Sequence, residues 1–334
     1  MPGWDDGVMT SVPEDSRVWP AVRYDGQRVA EDDPRATTVV VRRPGTTGWE
    51  YLVLHRAHEG PDYAGDWAWT APAGARLPGE PIEPAALREL AEESGIVDVA
   101  IWAVDLSSEC AVFAAEVEPD HDVALDAEHD RYEWLPVDEA VARMLPASVA
   151  EQVRGVDLVP SVRFRFRPMT LDDLPAVAER LSQPHVRPWF DPQTHTLEQL
   201  QQRYGDRIRG ESATTRMWVV EVDGSPVGQV QDYRVGDEPD FAEINLPDAV
   251  GIDYALTDPG LIGHGLGTRM LWRFLRDVIW VDYDATQVVA APAVDNIASL
   301  RTLEKVGFVA DRQLEGPGST RHVLSVLDLT RLFG

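Results

Sequence analysis

The sequence predicts an α/β protein made of two domains joined end to end. Three observations carry this expectation. The 334 residues suffice for two ordinary cores. Each half alternates short β-branched or apolar runs with stretches of helical spacing. A Pro-, Gly- and Val-containing segment, Gly155–Ser161, reads as a linker between them. The expected domains are therefore 1–157 and 158–334, with no internal repeat relating them.

In the first half, residues 1–35 are rich in Asp, Pro and Gly and read as an irregular arm. Thr37–Arg42 and Glu50–His55 flank the turn Pro44 to Gly48 and predict a hairpin. A loop through Trp67 and Trp69 leads to Gly74, and Pro84–Ser94 predicts a helix with Pro near its start and Gly95 just past its end. Val97–Val104 and Glu109–Val117 predict strands, and Val137–Leu145 a helix. In the second half, Val162–Arg167 alternates as a strand and Leu171–Leu181 follows as a helix begun at Thr170. Met217–Val222 and Pro226–Asp232 flank Asp223-Gly224, a strong hairpin signal. Val250–Thr257, a helix over Gly267–Val281, a strand at Gln287–Ala291, a helix over Asn296–Val306 and strands at Phe308 and Val323–Leu329 complete the pattern.

Composition bounds the function classes. Hydrophobic content of 44% and charged content of 26% are those of a soluble globular chain. The single cysteine, Cys110, excludes an internal disulfide framework. No basic stretch followed by an apolar run opens the sequence, and no apolar run is long enough to span a bilayer, so a cytoplasmic protein without membrane partners is expected. The formal net charge of −27 repels nucleic-acid backbones and favours metal cations and cationic small molecules.

One segment concentrates acidic chemistry. On a helix, Glu89, Glu92 and Glu93 share a face at i, i+3 and i+4, where like charges repel by roughly a few tenths of a kcal/mol per pair. A hard divalent cation turns that repulsion into coordination, since Mg²⁺ prefers oxygen ligands. Glycine at 74 and 95, Glu80, Arg88, Leu90 and Ile96 complete the spacing Gly-x5-Glu-x7-Arg-Glu-U-x-Glu-Glu-x-Gly-U, with U a bulky aliphatic residue. This stretch resembles the Nudix box, and every defined position matches. The resemblance implies an α/β/α Nudix sandwich in which Glu89, Glu92 and Glu93, aided by the carbonyl of Gly74, hold Mg²⁺ or Mn²⁺. Arg88 and Glu80 would brace the loop and helix by ion pairing. The implied reaction is attack of water on a phosphorus of a nucleoside diphosphate linked to another group. Glu92, Glu93 and one acid outside the box are the expected catalytic groups. Glu128, in the Glu128-His-x-x-Tyr-x-Trp134 segment, is the first candidate for that acid and Glu133 its competitor. Trp67 and Trp69 are candidates for stacking on a nucleobase or for core packing.

A second segment concentrates backbone donors. Gly263-His264-Gly265-Leu266-Gly267-Thr268 follows a strand and opens a helix, where N–H groups and the helix dipole attract an anion. Neither a Gly-Lys-Ser/Thr nor a Gly-x-Gly-x-x-Gly fingerprint is present. Gly251-Ile-Asp253-Tyr-Ala-Leu precedes this turn, and Asn296-x-x-Ser and Lys305-Val-Gly-Phe308 follow it. That order resembles GNAT acetyltransferases over roughly residues 162–334, a mixed-sheet α/β fold. The elements just named, with His185-Val-Arg-Pro-Trp-Phe190, are similar to aminoglycoside 6′-N-acetyltransferases. Siderophore-pathway lysine acyltransferases share much of the pattern. The resemblance implies acetyl-coenzyme A as cosubstrate, its pyrophosphate held by backbone amides of Ile262, Gly263, His264, Gly265, Leu266, Gly267 and Thr268. Asn296 would contact the pantetheine or acetyl region, and Asp253 would orient the amine and accept its proton. Two positions depart from the pattern. Leu303 stands where many relatives carry a tyrosine that protonates the leaving thiolate, and Ala291 where aminoglycoside-modifying relatives carry an acid. Asp232, Asp237, Glu238, Asp240, Glu243 and Asp248 crowd the approach to Asp253 and suit an acidic pocket or a solvated loop.

The expected function is bifunctional: metal-dependent hydrolysis of a nucleotide derivative, and acetyl transfer to a primary amine, with an aminoglycoside as the acceptor the resemblance implies. Acyl transfer to a siderophore-precursor lysine, and a non-catalytic coenzyme A-sensing domain that regulates the first, are the alternatives.

Overall fold

The computed structural model describes residues 22, 26, 28–58, 60–190, 196–211, 214–315 and 320–334, without the side chains of 190 and 239–241. Of the expected irregular arm, residues 1–21, 23–25 and 27 lie outside the described residues.

The first sheet is built from β1 (Ala36–Pro44), β2 (Trp49–Arg56), β3 (Trp69–Thr70), β4 (Ala73–Ala75), β5 (Ile101–Asp105), β6 (Cys110–Glu116) and β7 (His129–Pro136). Its order is β3-β2-β1-β6-β5, with β4 pairing β1 and β7 pairing β2. β1 and β6 run parallel in register from Ala36↔Cys110 to Arg42↔Glu116, and Ala36–Arg42 are all buried, as expected of a strand covered on both faces. The helices of this half are α1 (Ile82–Ser94), α2 (Val137–Arg143) and α3 (Ala147–Asp157). Helix α1 begins after Pro81 and ends at Gly95, whose left-handed φ of 71° lets its N–H reach the carbonyl of Ala91.

The second sheet follows in the order β13-β14-β12-β11-β10-β9-β8. These strands are β8 (Phe164–Pro168), β9 (Thr215–Val222), β10 (Ser225–Arg234), β11 (Val250–Leu256), β12 (Gln287–Ala290), β13 (Val309–Glu315) and β14 (Arg321–Asp328). Its helices are α4 (Leu174–Leu181), α5 (Arg187–Phe190), α6 (Leu197–Ile208), α7 (Leu266–Phe274), α8 (Trp280–Asp282), α9 (Ile297–Lys305) and α10 (Leu329–Phe333). Asp223 and Gly224 close the β9–β10 hairpin, both with positive φ. Only β11 and β12 pair in parallel, and their pairing is confined to Val250↔Val288 and Gly251↔Val289.

Three expectations need correction. The stretch Gly155–Ser161 is not all linker, because α3 continues to Asp157. Val149, Ala150, Val153 and Val156 repeat at helical spacing and are buried, and that burial outweighs the weak helix preference of Gly155. The strand expected over Val97–Val104 starts only at Ile101, since Asp98 takes φ 56° just after the αL cap at Gly95. The helix expected from Gly267 to Val281 changes to π-helical winding at Leu275–Ile279. Helix α6 was not anticipated. Its Leu200 and Tyr204 bury at i, i+4 behind a Thr196–Gln199 capping box.

The two halves share one continuous hydrophobic core. Trp272 of α7 is fully buried, its ring 5.4 Å from that of Phe113 and 5.1 Å from that of Phe333, and its indole N–H donates to the carbonyl of Ile101 at 3.2 Å. Around it Arg276 pairs with Glu83 at 2.9 Å, Leu106 N–H donates to Lys305 O at 2.9 Å, and Arg331 meets Asp32 at 3.1 Å. A seam this apolar makes the halves stand or fall together. Calorimetry of the full chain should show a single unfolding transition, and Trp272→Ala should lower its stability by about 3–5 kcal/mol. Two separate transitions, with only the second shifted, would contradict this.

Candidate active sites

The expected carboxylate face forms, but its members differ. Glu89 and Glu93, one turn apart on α1, are buried, whereas the Glu92 side chain is 56% exposed. Glu93 accepts the N–H of Ala73 at 2.9 Å. Burial pushes its carboxyl up to about 8, opposed by that N–H and raised further by the charge on Glu89. The carboxylate of Glu89 lies against Gly74 so closely that a Cβ there would sit 2.1 Å from Glu89 Cδ. Only glycine leaves that room.

Arg88 is the hub of the helix. Its guanidinium donates to Glu80 at 2.8 and 2.9 Å, to Glu89 at 2.7 Å, to Glu92 at 3.2 Å and to the carbonyl of Ala75 at 3.1 Å. Glu80 also accepts Leu77 N–H at 2.9 Å. Burial raises Glu80, but Arg88 and that N–H outweigh it and hold the carboxyl below its ordinary range. Among the described residues no three His, Cys, Asp or Glu side chains converge at metal-holding distance. The donor set nevertheless fits a hard cation: two buried carboxyl groups packed at a glycine, one destabilised in its ionised form by burial and by its neighbour.

Outside α1, Glu128 is exposed and its N–H donates to Asp126 Oδ1 at 3.1 Å. Glu133 is paired with Arg143 at 3.0 Å. Sequence reasoning missed Asp126, whose charge acts on Glu93 together with that of Arg56, and which also bonds His129 Nδ1 at 3.0 Å. His129 is buried and its Nε2 has no hydrogen-bond partner among the described residues. The signal available was an acid two residues ahead of Glu128. The two tryptophans also separate. Trp69 is buried beneath His55 at 4.8 Å, Arg143 at 4.8 Å and Arg131 at 5.1 Å, so it is core. Trp67 is 50% exposed with φ 65°, a conformation a bulky residue adopts only when its surroundings impose it.

In the second sheet, β11 and β12 part after Gly251, so Asp253 and Tyr254, still paired with Gln231 and Val230 of β10, have no β12 partner among the described residues. Asp253 accepts Gln231 Nε2 at 2.6 Å, and Arg207 donates to Gln231 Oε1 at 3.3 Å. Burial raises the Asp253 carboxyl, with Gln231 and the charges of Arg207, His322 and Arg203 acting the other way. Tyr254 Oη lies 3.0 Å from Ser299 Oγ, and Ser299 N–H donates to Asn296 Oδ1 at 3.2 Å. Asn296 thereby caps α9. Leu303 is sealed in the core at 1% exposure.

The glycine turn is open. Ile262, Gly263, His264 and Gly265 are exposed, and Gly263 (φ 83°) and Gly265 (φ 74°) need the left-handed region. A Cβ on Gly263 would meet nothing within 4 Å. Leu261 N–H bonds Asp258 O and Arg269 N–H bonds Gly265 O, which brackets the turn on both sides. Leu266, Gly267 and Thr268 form the first turn of α7, where helix N–H groups lack intrahelical acceptors. This open, donor-lined rim fits a pyrophosphate. The acidic crowd expected near Asp253 is partly spent on structure. Asp232 is buried among Arg216 at 2.8 Å, Trp218 Nε1 at 2.5 Å and Tyr283 Oη at 2.5 Å. Glu238 takes the hydroxyls of Thr214 and Thr215, both at 2.7 Å. The side chain of Asp240 lies outside the described residues.

A glutamate helix behind a glycine strand, followed by a glycine turn beside parted parallel strands, defines a chain of two fused α/β catalytic-type domains. Residues 32–156 match the NUDIX domain and residues 163–309 the acetyltransferase (GNAT) domain, so the chain joins a Nudix domain to a GNAT domain. It is 29% identical over 147 residues to aminoglycoside N(6′)-acetyltransferase type 1 of Klebsiella pneumoniae, covering 43% of this chain and 72% of that protein. A protein of the same name from Serratia marcescens matches to the same extent. The crystal structure of an aminoglycoside acetyltransferase with coenzyme A and kanamycin is 26% identical, with a TM-score of 0.46, over 51% of this chain and 96% of that one. No helix among the described residues is long and apolar enough to cross a membrane.

Because Glu89 is a flexible side chain, Gly74→Ala should fold normally yet displace its carboxylate. Titration of the full chain with Mn²⁺ should then show metal binding weakened at least tenfold, with an unchanged melting temperature. Unchanged binding would remove Gly74 and Glu89 from the metal assignment.

Proposed function

We propose that the chain is a bifunctional enzyme, with a metal-dependent pyrophosphohydrolase in residues 1–157 and an acetyl-coenzyme A-dependent N-acetyltransferase in residues 158–334. For the hydrolase, the supporting observation is the burial of Glu89 against Gly74 and of Glu93 on the Ala73 N–H. Glu89, Glu92, Glu93 and the Gly74 carbonyl would hold Mg²⁺ or Mn²⁺, with Glu92 freed from Arg88 to join them. Bound metal supplies charge neutralisation on the phosphoryl oxygens and acidifies water. Arg88 and Glu80 keep α1 seated on its loop, and Asp126 joins Glu128 as an acid beside the site. The substrate class is a nucleoside diphosphate derivative.

For the transferase, the supporting observation is the parting of β11 and β12 beside the exposed glycine turn. The amides of Ile262–Thr268 would take the coenzyme pyrophosphate and the gap between strands the pantetheine arm, near Asn296. Asp253 accepts the proton of the incoming ammonium, a role its upward-shifted carboxyl suits. The neutral amine then attacks the thioester carbonyl, the C–S bond breaks, and the thiolate needs a proton. Leu303 has none to offer. Tyr254, hydrogen-bonded to Ser299 one turn earlier on α9, carries the hydroxyl that could supply it.

The kinship with aminoglycoside acetyltransferases supports an aminoglycoside as acceptor, and with it a part in antibiotic resistance. One observation favours a second acceptor class. Arg203, Arg207 and His322 all act on Asp253, which suits an amine that also bears an anionic group, such as a lysine derivative. Thiol release measured with aminoglycosides, polyamines and lysine derivatives separates the two, and release with none of them would leave a coenzyme A-binding regulatory domain.

Glu93→Gln should lower metal-dependent cleavage of a nucleoside diphosphate derivative, followed as nucleoside monophosphate formed, by about 10²-fold or more, given how much a bound metal lowers the barrier; full turnover would end the hydrolase reading. Asp253→Asn should cut kcat by about 10²–10⁴-fold while sparing coenzyme A binding in calorimetry. Equal loss of both would mean misfolding.

A further inference from the structure

The start of α7 rests on the connecting segment and, one turn on, on the other domain. A Cβ on Gly265, the residue that caps this helix, would lie 2.9 Å from Val159 Cγ2, so the turn sits directly on the connecting segment. One turn further, Arg269 donates to Pro160 O at 3.0 Å and meets Glu116 Oε1 at 3.5 Å. Its guanidinium lies over the ring of Trp102, 3.9 Å from the centroid. Glu116, the last residue of β6, also accepts Arg42 at 2.7 Å and Ser161 Oγ at 2.8 Å. One carboxylate thus holds two buried guanidinium groups and the connecting segment together. Neutralising it leaves two like charges packed against Trp102, since Arg42 also lies 5.8 Å from that ring.

We infer that Glu116 and Trp102 of the Nudix domain, through Arg269, and Val159 of the connecting segment, against Gly265, are positioning residues for acetyl-coenzyme A: together they fix the amide-lined turn, so the Nudix domain completes the coenzyme site of the GNAT domain. This rests on the acetyltransferase reading of residues 262–268. A helix start aims its N–H groups at an anion only while its first turn is held rigidly, and here the rigidity comes from β5 and β6 of the first sheet. Arg269 itself does not face the ligand, because its guanidinium is committed to Glu116, Pro160 and Trp102.

The test is calorimetric titration of coenzyme A into the full-length chain. Glu116→Gln should weaken coenzyme A binding about tenfold and raise KM for acetyl-coenzyme A, with kcat and KM for the amine unchanged. Val159→Ala, which leaves the ion pairs intact, should weaken binding severalfold and guards against a folding failure in the first variant. Glu116→Asp should recover part of the affinity. Glu83→Gln breaks the Arg276 pair at the same seam but away from the turn, and should leave coenzyme A affinity within twofold of the parent. Parent-like binding by both Glu116→Gln and Val159→Ala overturns the inference, as does an equal loss in Glu83→Gln, which would mark a merely structural seam. If the parent chain itself binds no coenzyme A, the acetyltransferase reading falls and this inference with it.

Discussion

The burial of one face of α7 against the first sheet is the constraint on which the rest of the molecule depends. Trp272 fills the space between Phe113 and Phe333, and its indole N–H finds the Ile101 carbonyl, so a large aromatic is buried with its polar atom satisfied. Arg269 on the same helix and Arg276 in the π-helical segment that continues it reach back to Glu116 and Glu83. The seam therefore combines apolar area with partnered charges, the arrangement of a permanent interface rather than of two beads on a flexible string. Helix α7 is also the helix that begins at the glycine turn. The packing that joins the domains and the geometry proposed to hold coenzyme A are properties of one element.

A chain of net charge −27 is an unpromising host for two polyanionic ligands. Local arrangement resolves the conflict. In the proposed hydrolase site, acidic side chains are gathered so that a cation must mediate. In the proposed transferase site, backbone donors do the work and no side-chain charge is required. Elsewhere the acids are spent on structure: Asp232 on Arg216, Trp218 and Tyr283, Glu116 on Arg42 and Arg269, Glu80 on Arg88. A high count of carboxylates thus says little about where negative potential is available to a ligand.

What was legible along the chain was legible because it is local. The span of α1 follows from its helical spacing and its terminating glycine, the β9–β10 hairpin from Asp223-Gly224, and the start of α9 from Asn296. Both domain families were readable for the same reason, since their motifs occupy consecutive backbone and helix-face positions. What escaped were features set by distant partners. Asp126 acts on Glu93 across the fold, Tyr254 meets Ser299 across a strand-to-helix gap, and Arg207 approaches Asp253 through Gln231. Helix α3 was not anticipated and its last turn was read as linker, because Gly155 looks like a break in sequence, while the burial of Val153 and Val156 overrides it.

The sequence by itself determined two α/β domains, their order and the residues of two local motifs, because periodicity, capping and glycine placement act within a few residues. Only the tertiary structure decided that Glu92 stands apart from Glu89 and Glu93, that Trp69 is core while Trp67 is exposed, and that the domains share one core. Those outcomes turn on which surfaces meet, and burial is a property of contacts between residues far apart in the chain.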